Sequence, residues 1–202
     1  MRLISRLSNI LFERPVVRRR LAACGVNFRM GHSSDVHNAR QILIGRDFFS
    51  GPRLYMSTSS NVSIEIGDAV MLGPDCKIIG GNHDFRFTGG HMRYNNAPEQ
   101  SKATIEIENG VWIGAGTIVL TGASLGEGCV VGAASVVTGR VPPYSIAVGS
   151  PARFVRLRFA NTVELAELLS NVRSRYTVEG ICSEIDALAG KRVTLPRETR
   201  GS

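Results

Sequence analysis

Residues 107–141, IENGVWIGAGTIVLTGASLGEGCVVGAASVVTGRV, return an apolar residue at every sixth position. Ile107, Ile113, Val119, Leu125, Val131 and Val137 keep that spacing without a slip, and Val111, Thr117, Ala123, Cys129, Ser135 and Val141 follow them by four places. A period of six fits neither the helical 3.6 nor simple alternation, and Gly114, Gly126 and Gly132 stand directly after the apolar position. Each hexad therefore reads as one short strand and one turn. Three hexads make a triangular coil of about eighteen residues, and stacked coils make a parallel β-helix with an aliphatic ladder inside. The glycines are read as supplying the backbone freedom of the corners.

Upstream, Phe48, Leu54, Ser60, Ile66, Leu72 and Ile78 continue the period, with Thr58, Ile64, Val70 and Cys76 as companions, and only Ser60 departs from the aliphatic rule. Ile78 and Ile107 are 29 residues apart, which is not a multiple of six, so an insertion must leave the coil between them. It is placed at about 84–104, DFRFTGGHMRYNNAPEQSKAT, with His83 at its base. A long unpatterned segment that interrupts a rigid scaffold is usually functional.

The expected organisation is an N-terminal helical and capping segment over 1–41, the β-helix over 42–158, and a helical segment with a tail over 159–202. Leu3, Ile4, Leu7, Ile10 and Leu11 recur at helical spacing among arginines, which reads as an amphipathic helix that caps the solenoid or lies on an anionic membrane. Val163 to Leu188 suggest two short helices broken near Gly180. With 202 residues, 43% hydrophobic and 20% charged, the chain is expected to be soluble and globular. A formal charge of +7 favours anionic partners, yet no finger spacing, RNA-binding aromatic signature or basic heptad helix points to nucleic acid. Cys24, Cys76, Cys129 and Cys182 stand far apart without a CxxC pair, which suggests reduced thiols in a cytoplasm, no disulfide framework and no thiolate metal site.

The stretches IGDAVMLGPDCKII (66–79), GNHDF (81–85) and the run from Ile107 through VGSPARFVR to Arg156 resemble the hexapeptide-repeat acetyltransferases, above all the galactoside, maltose and polysaccharide O-acetyltransferases. The resemblance covers about residues 44–158. It implies a left-handed parallel β-helix, acetyl-CoA as co-substrate, a sugar or surface-glycan precursor as acceptor, and a homotrimer with sites between subunits. By position it implies that His83 is the general base, sixteen residues after Gly67. Donor contacts fall on Ala115, Ala133, Thr138, Arg153 and Arg156, expected along one edge of the later coils. Asp84 is expected to steady the imidazole or touch the acceptor, and His91 is expected to be an exposed loop residue. Where these relatives carry lysine after the threonine this chain has Gly139, with Arg140 next. Gly51 replaces an acceptor-binding asparagine, which speaks against a galactoside or maltose acceptor.

Chemically, a sugar hydroxyl is a poor nucleophile until a base of near-neutral pKa takes its proton, so one histidine suffices for direct attack on a thioester. Trp112 reads either as a wall of an intersubunit cleft or as an outward residue covering a neighbouring coil. Alternatives within the enzyme class are N-acetylation of an amino sugar, or O-acetylation of an antibiotic or serine. A non-catalytic β-helix module and a zinc hydratase are the readings outside it; the latter needs about three histidines on adjacent coils, and none follows His91.

Overall fold

The computed structural model describes residues 14–94 and 103–189 of the chain. The expected amphipathic helix around Leu3 to Leu11, its membrane contact, Asn95 within the insertion and the polar tail lie outside the described residues. Three sheets form the sides of a left-handed parallel β-helix. Sheet A stacks β1 (Ala23–Cys24), β3 (Ile42–Ile44), β6 (Val62–Ile66), β9 (Ala103–Ile107), β12 (Ser124–Leu125) and β15 (Arg140–Val141). Sheet B stacks β4 (Phe49–Ser50), β7 (Met71–Leu72), β10 (Trp112–Ile113), β13 (Val130–Val131) and β16 (Ser145–Gly149), and β17 (Ala152–Leu157) closes it antiparallel to β16. Sheet C stacks β2 (Asp35–Val36), β5 (Tyr55–Ser57), β8 (Lys77–Ile79), β11 (Ile118–Leu120) and β14 (Val136–Val137).

Both rows of the 107–141 repeat are buried, from Ile107 to Val137 and from Val111 to Val141, and they form one continuous core. In the earlier coils the strand register differs from the expectation. The residues aligned with the later ladder are Ile44, Ser50 and Met56, then Ile66, Leu72 and Ile78. Phe48 and Leu54 belong to the companion row, and Ser60 is exposed. Four extra residues between Met56 and Ile66 equal the offset between the two rows. A count of six from Phe48 therefore lands in phase on Ile66 although the chain has changed rows.

Every interval across the A–B and B–C corners is six, from Cys24, Met30 and Val36 in the first coil to Leu125, Val131 and Val137 in the fifth. The C–A corner alone varies: Val36 to Ile44, Met56 to Ile66, Ile78 to Ile107, Val119 to Leu125 and Val137 to Val141 are all different lengths.

The glycines after the ladder positions are there for space. A Cβ on Gly73 would lie 2.6 Å from the Ala115 nitrogen, and one on Gly114 would lie 2.5 Å from that of Ala133. The left-handed turn comes two residues later, at Asp75 (φ 62), Gly116 (φ 68) and Ala134 (φ 56).

The boundaries shift accordingly. The first coil begins at Ala23, inside the segment expected to be a cap, and only α1 (Arg14–Arg20) precedes it among the described residues. Its ladder residues Cys24 and Met30 are thiol and thioether, too soft a signal for an aliphatic period. The insertion ends earlier than 104, because Ala103 and Thr104 already pair with Val62 and Ser63. After β17, α2 (Thr162–Asn171) and α3 (Val178–Ala189) pack Leu165, Leu169, Ile181 and Ile185 against Tyr144 and Leu157. The break falls at Val172 to Thr177 and Gly180 lies inside α3. Arg173 takes the left-handed position (φ 52) that glycine usually fills, and Ser174 N–H closes the helix end on Leu169 O at 2.9 Å.

Candidate functional site

The C–A corner of the third coil is where the chain leaves the scaffold. Gly80 N–H still donates to Ser57 O (2.8 Å), and Gly81 N–H turns to Thr121 Oγ1 (2.8 Å). A Cβ on Gly80 would meet Thr58 Oγ1 at 2.6 Å, and Gly81 combines a φ of +97° with Ser59 Cβ at 2.9 Å from its own missing Cβ. Only glycines fit this exit. Sequence reasoning passed over the pair and over Thr121, although a Gly-Gly step before a polar segment is itself a turn signal. Ser59 Oγ, beneath Gly81, is buried without a partner among the described residues.

His83 follows at the mouth of the exit, exposed, and no hydrogen bond or ion pair holds its ring among the described residues. Asp84 does not steady it. Its Oδ1 accepts Arg86 N–H (3.0 Å) and its carbonyl accepts Phe87 N–H (3.3 Å), so the carboxylate closes the first turn of the insertion. Neighbouring side chains of an extended segment point apart. His91 is exposed, with its ring edge-on to Tyr94 at 6.3 Å.

The five donor-site positions do not share one edge. Ala115 and Ala133 are consecutive on the B–C corner, joined by Ala134 N–H to Ala115 O at 2.8 Å. Thr138 lies on the C–A corner in the fifth coil, where it lines a cavity of about 350 Å³ with Arg153 and Phe154 at the C-terminal end of the helix. Arg156 pairs with Ile146 in register, and its Nη1 donates to Leu157 O at 2.9 Å. Ala115 lies six residues before Thr121, which holds the exit to His83. At about 3.3 Å per residue that is up to roughly 20 Å along sheet C. One chain therefore keeps His83 and the Ala115–Ala133 column at opposite margins of the same sheet.

Arg140 lines the same cavity as Thr138 and Arg153, but its guanidinium is already engaged. Its guanidinium donates to Glu184 (2.6 Å), Glu108 (3.1 Å) and Ser124 Oγ (2.8 Å), fastening α3 to sheet A. Burial alone would lower the Arg140 pKa, but the bonds to Glu184, Tyr176 and Glu108 raise it above its ordinary value. Cys76 and Cys129 are buried, and burial pushes the Cys129 thiol up to about 12, so neither is a ready nucleophile. Among the described residues no group of three or more His, Cys, Asp or Glu is placed to hold a metal ion.

Comparison with known proteins agrees with this architecture. A family profile described as "Bacterial transferase hexapeptide (six repeats)" matches residues 104–139. A provisionally named acetyltransferase of Schizosaccharomyces pombe is 41% identical over 113 residues, 55% of this chain and 51% of its own length. One of Mycobacterium tuberculosis is 30% identical over 155 residues, 71% of this chain and 47% of its own. The chain thus spans about half the length of these two relatives. One of Staphylococcus aureus is 33% identical over 173 residues, covering 72% of this chain and 83% of its own. Among solved structures, a maltose O-acetyltransferase from Clostridium difficile 630 superposes with a TM-score of 0.62 at 28% identity, over 77% of this chain and 83% of its own. A galactoside acetyltransferase in complex with coenzyme A superposes with a TM-score of 0.59 at 27% identity, over 74% and 72% of the two chains.

Proposed function

Because the chain belongs to the hexapeptide-repeat acetyltransferases, we propose that it transfers the acetyl group of acetyl-CoA to a hydroxyl of a sugar or surface-glycan precursor, in the cytoplasm. The observation that carries this reading is His83: an exposed imidazole with no competing partner among the described residues, at the one corner where the scaffold opens. His83 takes the acceptor's hydroxyl proton as that oxygen attacks the thioester carbonyl carbon. The carbon–sulfur bond breaks, the proton passes from the imidazolium to the departing thiolate, and the products are an acetyl ester and free CoA. Asp84, with Oδ1 engaged by Arg86 N–H, offers its other oxygen to an acceptor hydroxyl.

For the donor, Ala115 and Ala133 are small enough for the pantetheine arm to lie against the corner backbone, while Thr138 and Arg153 meet a phosphate end in their shared cavity. Arg156 is the weaker candidate, since it does not line that cavity and its guanidinium serves the carbonyls of Leu157 and Arg158. The separation of His83 from the Ala115–Ala133 column supports a trimer in which one subunit's C–A corner meets another's B–C corner. Sheet C then faces the threefold axis. Most of its outward row in the later coils suits that place: Ile79, Ile118, Leu120 and Val136 are apolar and half-buried in the single chain, beside an exposed Lys77. The same arrangement makes Trp112, close to Ala115 in sequence and 50% exposed on sheet B, a wall of the shared cleft.

The test is thiol release from acetyl-CoA against a panel of sugars, amino sugars, serine and aminoglycosides. Acceptor-dependent release with a product cleaved by hydroxylamine is expected, as for an ester. A hydroxylamine-stable product would move the reading to N-acetylation, and no release with any acceptor would leave a binding module.

A further inference from the structure

A second polar cavity, of about 980 Å³, opens on the C–A side at the start of the helix, lined by Arg19, Arg20, Asn38, Arg40, Gln41 and Ser60. We propose that it binds a phosphate or diphosphate carried by the acceptor, so that the acceptor is a sugar joined to phosphate and not a free sugar; this rests on the acetyl-transfer reading above.

The lining contains three guanidiniums and no carboxylate. Three other arginines of the coils are neutralised: Arg46 by Asp68 at 2.7 Å, Arg53 by Asp75 at 2.5 Å, and Arg140 by Glu184 at 2.6 Å. Arg19, Arg20 and Arg40 have no ion pair or side-chain hydrogen bond among the described residues. Three like charges around one cavity repel each other, and a dianion relieves that repulsion with charge-assisted bonds.

The backbone that carries them is fixed. Val17 and Leu21 anchor α1 in the core, and Ala22 N–H is shared between Ala39 O (3.2 Å) and Ile42 O (3.0 Å). Asn38 sits in a left-handed turn (φ 51), with its amide bonded to Thr58 O of the next coil. The cavity is therefore built from three pieces of chain held together before any ligand arrives. Its position relates it to the proposed base: Arg40 is on the C–A corner of the first coil, Ser60 on that of the second and His83 on that of the third. Coils stack about 4.8 Å apart, so Arg40 lies roughly 10 Å below the exit, the reach of a hexose and its phosphate, and Arg19 and Arg20 come in from the helix that precedes the first coil. The proposed donor cavity at Thr138 and Arg153 is at the opposite end of the helix.

Calorimetric titration of the full chain with pyrophosphate and with inorganic phosphate tests the site without any turnover. Pyrophosphate should bind, and Arg40→Gln or the double variant Arg19→Gln/Arg20→Gln should weaken it by about tenfold or more with unchanged thermal unfolding, since these side chains are exposed. In thiol release a hexose 1-phosphate should outperform the free hexose, and Arg40→Gln should abolish that preference while leaving the apparent acetyl-CoA constant as it was. Undiminished pyrophosphate binding in the variants would overturn the proposal, as would a raised acetyl-CoA constant, which assigns the arginines to the donor. Binding to phosphatidylglycerol vesicles that pyrophosphate does not displace would assign them to a membrane surface and overturn it as well. If no acceptor supports thiol release, acetyl transfer fails by itself and the pyrophosphate affinities alone decide the site.

Discussion

His83 stands on a backbone that two glycines turn out of the coil, so its removal costs no packing. His83→Ala should lower turnover by about two to four orders of magnitude while leaving thermal unfolding and CoA binding near those of the native chain. Near-normal turnover on the preferred acceptor would remove it from the mechanism. The two arginines near the C-terminal end separate in the opposite sense. Arg153→Ala should raise the apparent acetyl-CoA constant, more at low salt, because phosphate pairing is screened by ions. Arg140→Ala should lower the unfolding temperature, because it removes the partner of Glu184 and one of the three groups that hold Glu108. An unfolding temperature unchanged in Arg140→Ala would mean that the network does not hold α3. His83 could be picked out in the sequence from its place beside the broken period together with the resemblance, which sets the base sixteen residues after Gly67. The use of Arg140 could not, since its partners Glu108 and Glu184 are 32 and 44 residues away.

Two elements carry the irregular part of the molecule. The insertion hangs on the C–A corner, and among its described residues Phe85 and Tyr94 are 77% and 75% exposed. Replacing residues 85–101 by a short glycine-serine bridge should change stability little, since loop closure costs about 0.6 kcal/mol per doubling of length, and should impair acceptor selectivity most. Loss of folding would show instead that the segment is packing. The C-terminal pair of helices is docked by charge as well as by Leu165 and Ile181. Burial alone would raise the Glu108 carboxyl, but hydrogen bonds from Tyr176 and Arg140 and the nearby Arg175 outweigh it and hold the group below its ordinary 4.5. A depressed folded pKa means that the contribution is complete above about pH 4.5 and is lost as the pH falls through the folded value. Unfolding temperature should therefore drop on acidification below that point, and Glu108→Gln, costing about 1–3 kcal/mol at neutral pH, should flatten the dependence. An acid limb of equal steepness in the variant would place its cause elsewhere.

For the whole molecule the decisive question is assembly. If sheet C faces a threefold axis, Ile118→Glu buries a charge between subunits and should yield monomers in sedimentation, with thiol release lost alongside. Trp112→Ala should keep the trimer and lower acceptor-dependent turnover. An Ile118→Glu chain that still sediments at three times its own mass would put the interface on another face. The outward ladders support the choice. Sheet A presents Glu65 and Glu106 in register, a poor surface to bury, whereas the later coils of sheet C present Ile118 and Val136 in register, with Lys77 the charged member of that row before them.

The sequence alone determined the solenoid, because a buried ladder of stacked coils repeats the same steric demand every six residues and leaves it written in the chain. It also located the insertion, which appears as a break in that demand, and the resemblance to the hexapeptide-repeat acetyltransferases singled out the histidine at its base. The true register of the early coils was hidden: two buried rows are equally apolar, and four added residues between Met56 and Ile66 bring one into phase with the other. Only the tertiary structure showed that each departure from six falls on one corner, which gathers Arg40, Ser60, His83 and Thr138 from four coils. Corner identity depends on how many residues each preceding coil spends, a cumulative quantity that no local pattern contains. The separation of His83 from Ala115 and Ala133 has the same origin, because neighbours along a coil's edge are set by stacking and not by distance along the chain.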